Sequence, residues 1–515
     1  MVSVGIILSS KYSEFEIFQQ YGLVPPSFLP ILGQRLYKKQ FQYLNEFCSK
    51  IFLTIPLDYE LTSVDKKELI QMGIRVIRCD PNITINYAIL NVLSLDEIKN
   101  SSIVVLYGDT IIEEKIPINT VAICEKPKKY TWGRNEGIFR FEQSNNEKSE
   151  MVMAGLFCLR STFLFRRSIH QSDGTILNAL DIYGNYEEIQ YKKVRNWNDL
   201  GHLETLQETK SFYLASRHFN KVFLTNLGVQ KQSREIKKLK AEVTWYEKLP
   251  LEFSKYVPSL VSKSDNQYIL EYISAPTVHD VLIYGNFNSE QWMSFFDKLK
   301  LFFNDALKIY DPNNCVSFIE LIRNKTRDRC NSFLAENPTL KDFDNITLTK
   351  IFSSNNIEFL LEKINMEETK YLGLLHGDMC ATNIFWDGAT ESLKLVDPRG
   401  DPTGQSTGIY GDIRYDVAKL YQSFILGYDL VLHGLNLDIS SADGSQIFSF
   451  SKYCNIDFYS IFQSQLFSPL EICESEIVSI SILLMMGLMP LHSDDINRQN
   501  KFVHIIVDML RKIKT

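Results

Sequence analysis

Along residues 1 to about 205, short apolar runs alternate with longer amphipathic stretches. Val4–Leu8, Ile51–Ile55, Val76–Cys79 and Ile103–Tyr107 are brief and rich in β-branched residues. Their length and near-continuous apolarity predict strands buried on both faces. Between them, Leu36–Phe47 and Lys66–Met72 place apolar positions on one side of a helix. Strand and helix in turn predict βαβ units and a mostly parallel, doubly wound sheet. From about residue 206 the pattern changes. Val222–Leu224, Val229–Lys231 and Tyr268–Tyr272 read as strands, and long helical periodicity follows. The expected organisation is an α/β domain over 1–205, a small strand-rich lobe over 206–275 and a mostly helical lobe over 276–515. No internal repeat or low-complexity linker interrupts it.

The run Ile477–Leu491 is the longest apolar stretch, but Ser479, Ser481, Gly487 and Pro490 lie within it. It is too short for a typical membrane span and predicts a buried helix. Met1–Leu8 has no basic n-region, so it reads as a first strand rather than a signal peptide. With 45% hydrophobic and 23% charged residues, the chain can bury large cores. A net charge of -7 argues against a general nucleic-acid partner. Nine cysteines, scattered from Cys48 to Cys473 without a C-x-x-C pair, predict reduced thiols and a cytoplasmic location. His170, His218 and His433 form no metal-ligand pattern.

The strongest chemical signal is Leu374-Leu375-His376-Gly377-Asp378-Met379-Cys380-Ala381-Thr382-Asn383, followed by Leu393-Lys394-Leu395-Val396-Asp397. Phosphoryl transfer needs such a set: one carboxylate to meet the acceptor hydroxyl, and an amide oxygen with a second carboxylate to hold Mg²⁺ against nucleotide phosphates. A short loop can turn Asp378 and Asn383 toward one cleft, and the following strand can deliver Asp397 to it. These segments resemble the aminoglycoside phosphotransferase and choline kinase superfamily, which shares the bilobal protein-kinase fold. So do Asp397-Pro398-Arg399-Gly400 and Gly411-Asp412-Ile413-Arg414-Tyr415-Asp416-Val417-Ala418-Lys419-Leu420. The resemblance implies Asp378 as catalytic aspartate, Asn383 and Asp397 as Mg²⁺ ligands, and Asp416 as a brace for the catalytic loop. It also implies a nucleotide-binding N-lobe. There Lys231 would reach the phosphates, Glu242 would pair with it, and the hinge Tyr268–Ile273, through Glu271 and Ile273, would meet adenine. The glycine-rich phosphate cover is poorly represented, because Thr225-Asn226-Leu227-Gly228 has one glycine.

In the N-terminal half, the first strand, Phe28-Leu29-Pro30-Ile31-Leu32-Gly33-Gln34-Arg35-Leu36 and Leu106-Tyr107-Gly108-Asp109-Thr110 resemble sugar nucleotidyltransferases of GT-A-like fold. Met153-Ala154-Gly155-Leu156-Phe157 and Trp197-Asn198-Asp199-Leu200-Gly201-His202 extend the likeness. The resemblance implies Asp109 and Asp199 as Mg²⁺ ligands between a nucleotide (CTP or another NTP) and a phosphate ester. Two departures weaken it. The stretch Ser9–Glu16, where the family has a glycine-rich triphosphate loop, has no glycine. Pro25-Pro26-Ser27-Phe28 has no lysine before the Leu29-Pro30 segment. Glu125-Lys126-Pro127 reads as a surface turn.

The whole chain resembles two-domain proteins of bacterial capsular and surface polysaccharide biosynthesis. The implied function is bifunctional: ATP- and Mg²⁺-dependent phosphorylation of a sugar, polyol or amino alcohol such as choline, then nucleotidyl transfer to a phosphate ester. A cationic acceptor would need aromatic groups, for which Trp386, Tyr410 and Tyr415 are candidates. The partners expected are small molecules and nucleotides. A catalytically degenerate regulatory or scaffold protein and an antibiotic phosphotransferase are the alternatives.

Overall fold

The computed structural model describes the chain except residues 1–2, 32, 99–100, 126–137, 143–147, 196, 213–219, 312–314, 316–317, 319, 337, 367–368, 401–407, 435–455 and 515. Lys126-Pro127 therefore lies outside the described residues. The chain divides into two compact units: Met1–Leu214 with Tyr284–Asn286, and Ala215–Ile283 with Phe287–Thr515.

The first unit is α/β, as the alternation of patterns predicts. Its main sheet has Ser3–Leu8 at the centre, parallel to Lys50–Pro56 on one side and to Ser102–Tyr107 on the other. Ile74–Cys79 extends the first side in parallel. Successive side chains of the central strand enter opposite cores. Val4 and Ile6 pack with Val105, Ile89 and Phe165, whereas Ile7 packs with Leu53, Leu106 and Leu44. Helices on both faces are thus the reason the strand reads as unbroken apolar sequence.

The sheet is more mixed than the expected mostly parallel one. Lys148–Leu159 runs antiparallel to both of its neighbours, Ser102–Tyr107 and Thr120–Glu125. It also pairs antiparallel with Ile138–Glu142 just before it. A parallel neighbour requires a long crossover, usually a helix. Among the described residues no helix lies between Thr120–Glu125 and Lys148–Leu159.

The long strand carries a register shift between Met153 and Phe157. Gly155 sits inside it at φ +70°, a left-handed conformation suited to glycine at a bulge. A Cβ there would lie 2.5 Å from Thr110 Oγ1 and 3.1 Å from the Tyr107 Cβ. The Ala154-Gly155 signature is therefore a packing requirement beside Asp109.

The second unit is bilobal and α+β. Its small lobe is an antiparallel sheet in the order Asn220–Thr225, Gly228–Ser233, Gln267–Leu270, Leu260–Lys263. Helix Ile236–Lys248 buries Leu239, Glu242, Val243, Trp245 and Tyr246 on one stripe. The large lobe is helical. Helix Ser289–Ala306 starts at a capping box between Asn288 and Gln291. Its Trp292, Phe295 and Phe296 join Phe424, Phe458 and Phe462 in an aromatic core. The apolar run near the C-terminus forms helix Glu474–Met486, buried from Glu476 to Met486. No described helix is long and apolar enough to cross a membrane.

Replacing Gly155 by Ala is expected to destabilise the first unit by about 1–3 kcal/mol, through a strained backbone and a clash with Thr110. The urea midpoint of the variant, compared with wild type, checks this. An unchanged midpoint would remove the packing role assigned to the glycine.

Candidate active sites

In the second unit, one β-hairpin delivers both expected metal ligands. Strands Ile384–Asp387 and Ser392–Leu395 pair with Ile384 opposite Leu395. One step beyond the hairpin's open end, the Val396 N–H donates to the Asn383 carbonyl at 3.0 Å. Asn383 and Asp397 are therefore held side by side by backbone pairing. Asp397 adopts φ +58°, uncommon for a residue with a side chain. Asn383 Nδ2 donates to the Asp378 carbonyl at 2.9 Å, whereas its Oδ1 has only a 3.5 Å contact with the Thr382 hydroxyl. An amide oxygen and a half-exposed carboxylate form a hard oxygen donor set that suits Mg²⁺.

Lys231 reaches the same place from the small lobe. Its ammonium lies 2.8 Å from Glu242 Oε2 and 3.0 Å from Asp397 Oδ1. Tyr268, opposite Lys231 in the sheet register, donates its hydroxyl to Glu242 Oε2 at 2.9 Å. Burial works against the charge on Lys231, but Asp397 and Glu242 outweigh it and raise its pKa. Of the residues expected to converge, Lys231, Glu242 and Asp397 meet at ion-pair distance, and Asn383 adjoins Asp397 through backbone pairing. The Asp378 carboxylate contacts Lys419 and Arg399 instead.

The loop bearing Asp378 is fixed from below. The His376 and Gly377 N–H groups donate to the two Asp416 oxygens at 2.7 and 2.9 Å. His376 is fully buried, and burial pushes its pKa down to about 4. As a neutral ring it donates from Nε2 to the Val396 carbonyl at 3.0 Å and accepts the Asp378 N–H at Nδ1 at 3.3 Å. The Asp378 carboxylate lies 3.0 Å from Lys419 Nζ and 3.4 Å from Arg399 Nη2. Burial alone would raise its pKa, but Lys419 and then Arg399 hold it far below the usual carboxylate range. Asp378 is an anion throughout the working pH range.

Sequence patterns did not single out Lys419 and Arg399. Their signal was present: Lys419 is three residues after the bracing Asp416 on helix Arg414–Phe424, and Arg399 is two after Asp397. Lys325 and Arg329, on helix Lys325–Ala335, also bear on Asp378 electrostatically. Nothing in their local sequence marks them.

At the hinge, the Glu271 carboxylate accepts the Ser259 N–H and hydroxyl, which lowers its pKa. Its own N–H donates to the Ser259 carbonyl at 2.9 Å. With its carboxylate and N–H engaged, Glu271 would meet a base through its carbonyl, with the Ile273 N–H two residues on. Gly228, at φ +138°, has no room for a Cβ against the Leu270 carbonyl. It serves close strand packing rather than a phosphate cover. An open depression of about 540 Å³ is lined by Thr225, Gly228, Glu271 and Tyr272, but not by Lys231, Asp378, Asn383 or Asp397.

Two of the three aromatic candidates for a cationic acceptor are buried. Trp386 is 2% exposed and packs edge-on against Phe295. Tyr415 is 1% exposed, and its hydroxyl receives Arg399 Nη1 at 3.1 Å. Tyr410 belongs to a short strand paired with Leu372–Leu374.

In the first unit, Asp109 lies just beyond the carboxyl end of Ser102–Tyr107, where open α/β sheets bind ligands. Strand Trp197–Asp199 pairs with Thr110–Ile112, Asp199 opposite Thr110, and the Leu200 N–H donates to the Asp109 carbonyl at 2.7 Å. A Cβ built on Gly201 would lie 2.8 Å from an Asp109 oxygen and 3.0 Å from an Asp199 oxygen. The carboxylates therefore crowd one point. Burial, then the Asp199 charge, pushes the Asp109 pKa up to about 6. Two repelling carboxylates fit a divalent cation. The triphosphate cradle is a different matter. The Ser9 N–H is committed to Thr54 Oγ1 at 3.0 Å, Ser9 Oγ accepts the Ser27 N–H at 3.0 Å, and the Ser27 hydroxyl donates to the Gly108 carbonyl at 3.2 Å. Here the chain after the first strand is stitched down by serines.

Solved structures of the two expected kinds resemble the chain. The CTP:phosphocholine cytidylyltransferase of Streptococcus pneumoniae matches 41% of this chain and 99% of its own at 11% identity, with a TM-score of 0.32. The inositol-1-phosphate CTP transferase of T. maritima matches 41% and 96% at 13% identity, with a TM-score of 0.30. An aminoglycoside-3'-phosphotransferase of type VIII matches 53% and 90% at 14% identity, with a TM-score of 0.33. No protein-family model and no curated protein matches the chain.

The Asp109 pair sets a pH dependence. Its folded pKa is raised, so the stability it contributes is full below about 4, the unfolded value, and is lost as pH rises through about 6. Asp109→Asn should therefore leave the first unit unchanged at pH 4 and stabilise it at pH 8 by on the order of 1–2 kcal/mol. Mg²⁺ should stabilise wild type but not the variant at pH 8. Thermal unfolding at both pH values checks this, and equal melting of the two proteins at pH 8 would contradict the crowded pair.

Proposed function

We propose that the second unit is an ATP- and Mg²⁺-dependent kinase for a small hydroxyl-bearing molecule, acting in surface polysaccharide biosynthesis. The observation that carries the reading is the convergence of Lys231 and the Asn383–Asp397 pair, together with Asp378 held on a braced loop one hydrogen bond from Asn383. Bound Mg²⁺ would neutralise phosphate oxygens beside Asn383 and Asp397. Asp397 would hold the cation and Lys231 would face the phosphates of a bound Mg-nucleotide, in place of the present contact between the two. Asp378 accepts a hydrogen bond from the acceptor hydroxyl and aligns its oxygen with the γ-phosphorus. As the new O–P bond forms and the bond to ADP breaks, the hydroxyl proton passes to Asp378. A carboxylate held at so low a pKa is a weak base. It orients the nucleophile and takes the proton late, which suits a loose phosphoryl-transfer transition state.

The first unit is read as a nucleotidyltransferase-like domain that uses CTP or another NTP, on the strength of the crowded Asp109 and Asp199. The serine-stitched loop supports altered or weakened triphosphate binding there. A kinase-like and a nucleotidyltransferase-like unit in one chain suit successive steps toward an activated precursor in the cytoplasm. That pairing is what favours a polysaccharide pathway over antibiotic resistance.

Asp378→Asn keeps shape and should spare Mg·ATP binding while lowering turnover by about 10²–10⁴-fold. Transfer of ³²P from ATP into a panel of sugars, polyols and amino alcohols measures it, and undiminished transfer by the variant would refute the mechanism. Because the Asp378 pKa is depressed, wild-type turnover should show no acidic limb from this residue between pH 9 and about 5.

Asp397→Ala should abolish Mg²⁺-dependent nucleotide binding to the second unit in a folded protein. Calorimetric titration with Mg·ATP reads it, and wild-type affinity in the variant would overturn the metal assignment.

A further inference from the structure

One helix of the small lobe touches the site at several points. On Ile236–Lys248, Ala241 and Trp245 are four residues apart and lie on one side, with Glu242 beside them. Each is committed to a different part of the site. Glu242 holds Lys231 at 2.8 Å. The Ala241 carbonyl faces Gly400, at φ +59°, where a Cβ would lie 2.5 Å from that oxygen. Trp245 is 1% exposed and donates its indole N–H to the Leu375 carbonyl at 2.8 Å. Its ring stands edge-on to His376, with centroids 5.8 Å apart. A buried indole N–H needs an acceptor, and Trp245 finds one 130 residues along the chain. That carbonyl belongs to the peptide group joining Leu375 to His376. The N–H of the same group donates to Asp416 at 2.7 Å. The peptide that opens the catalytic loop is thus gripped from the small lobe at its oxygen and from the large lobe at its nitrogen.

We propose that Trp245 is a positioning residue for phosphoryl transfer: its bond to the Leu375 carbonyl makes the helix that aligns Lys231 and the loop that carries Asp378 move as one body. The proposal rests on the kinase reading of this site and deepens it. Lys231 serves the donor nucleotide and Asp378 the acceptor hydroxyl. In-line transfer needs the two at one spacing, and a misplacement of about 1 Å can cost on the order of 10²-fold in rate. A helix that swung away with Glu242 would release Lys231. Here the same movement would also strip the Leu375 carbonyl of its donor and part Ala241 from Gly400. Swinging out is therefore uphill, and the two halves of the site are aligned before a nucleotide arrives. The alternative is a purely packing role for the Trp245 ring, in which the N–H itself has no bearing on the loop.

The test uses the full chain and two variants. Trp245→Phe keeps a buried ring and removes the donor, and Trp292→Phe makes the same change in the aromatic core of helix Ser289–Ala306. In the first arm, hydrogen exchange is followed by mass spectrometry. The peptide carrying the His376 and Gly377 amides should exchange about tenfold or more faster in Trp245→Phe, the size of one lost buried hydrogen bond. It should be unchanged in Trp292→Phe. In the second arm, transfer from radiolabelled ATP is measured well below the melting temperature of each protein. The acceptor is whichever sugar, polyol or amino alcohol wild type phosphorylates best. Trp245→Phe should lower kcat by about 10–100-fold and leave KM for ATP within about twofold. Trp292→Phe should leave both near wild type. If Trp245→Phe does not fold, the benzothienyl analogue of tryptophan at position 245, with sulfur in place of the N–H, keeps the ring's shape and gives the same readouts. Wild-type loop exchange or wild-type kcat in a folded protein without the donor overturns the proposal. So does an equal loss of kcat in Trp292→Phe. Absence of transfer to every acceptor counts against the kinase reading instead, and the exchange pattern then decides by itself whether Trp245 ties the loop to the helix.

Discussion

The Asp416 carboxylate is the point on which the second unit's site depends. It takes the N–H groups of His376 and Gly377, so the backbone that carries Asp378 has a single conformation. Those donors would otherwise be buried without partners, at a cost of roughly 1–3 kcal/mol each. Asp416 can do this only if its helix, Arg414–Phe424, cannot shift. Arg414 secures the helix start. It is fully buried, 2.6 Å from Asp412 and 2.8 Å from Glu476, and it donates to the Asn365 carbonyl. From the same helix Lys419 reaches Asp378. Anchoring, bracing and electrostatic tuning thus come from one element, and displacing it would disturb all three together.

The two halves use carboxylates in opposite ways. In the second unit cations outnumber the carboxylate they face, so Asp378 stays ionised despite burial. In the first unit two carboxylates crowd one point, and burial with the Asp199 charge makes Asp109 hold its proton more tightly. The first environment suits an oriented hydroxyl. The second suits a divalent cation whose arrival releases protons. Sequence motifs alone show only that an aspartate is present in each place. Neighbours distant in the chain determine what it does.

That difference explains what could be read beforehand. The strand and helix alternation and the buried C-terminal helix were legible, because local periodicity generates them, whereas the meeting of Lys231, Glu242 and Asp397 was implied by the resemblance to small-molecule kinases. Asp109 and Asp199 were legible as motifs, and the structure brings them together through a short strand pair. The antiparallel Lys148–Leu159 was not, since strand direction follows from the connection and not from apolar pattern. The sequence showed only that Thr225–Gly228 is a poor glycine-rich loop, and what constrains its glycine is a carbonyl on the neighbouring strand. Lys419 and Arg399 stand within the kinase-like segments, but only folding brings both against Asp378.

The arrangement also weighs against a scaffold built on a spent kinase fold. Lys231, Glu242 and Asp416 are buried, and His376 is buried beside them with its ring locked by two hydrogen bonds. Ionic groups in such places contribute little net stability, and well-packed apolar residues of similar volume commonly serve as well or better. A structural protein has no need to keep a lysine between two carboxylates or an aspartate in a left-handed conformation. Each of these features costs stability. Strained and like-charged groups gathered at one cleft are what binding and catalysis require, and their cost is recovered when ligand charge enters the site.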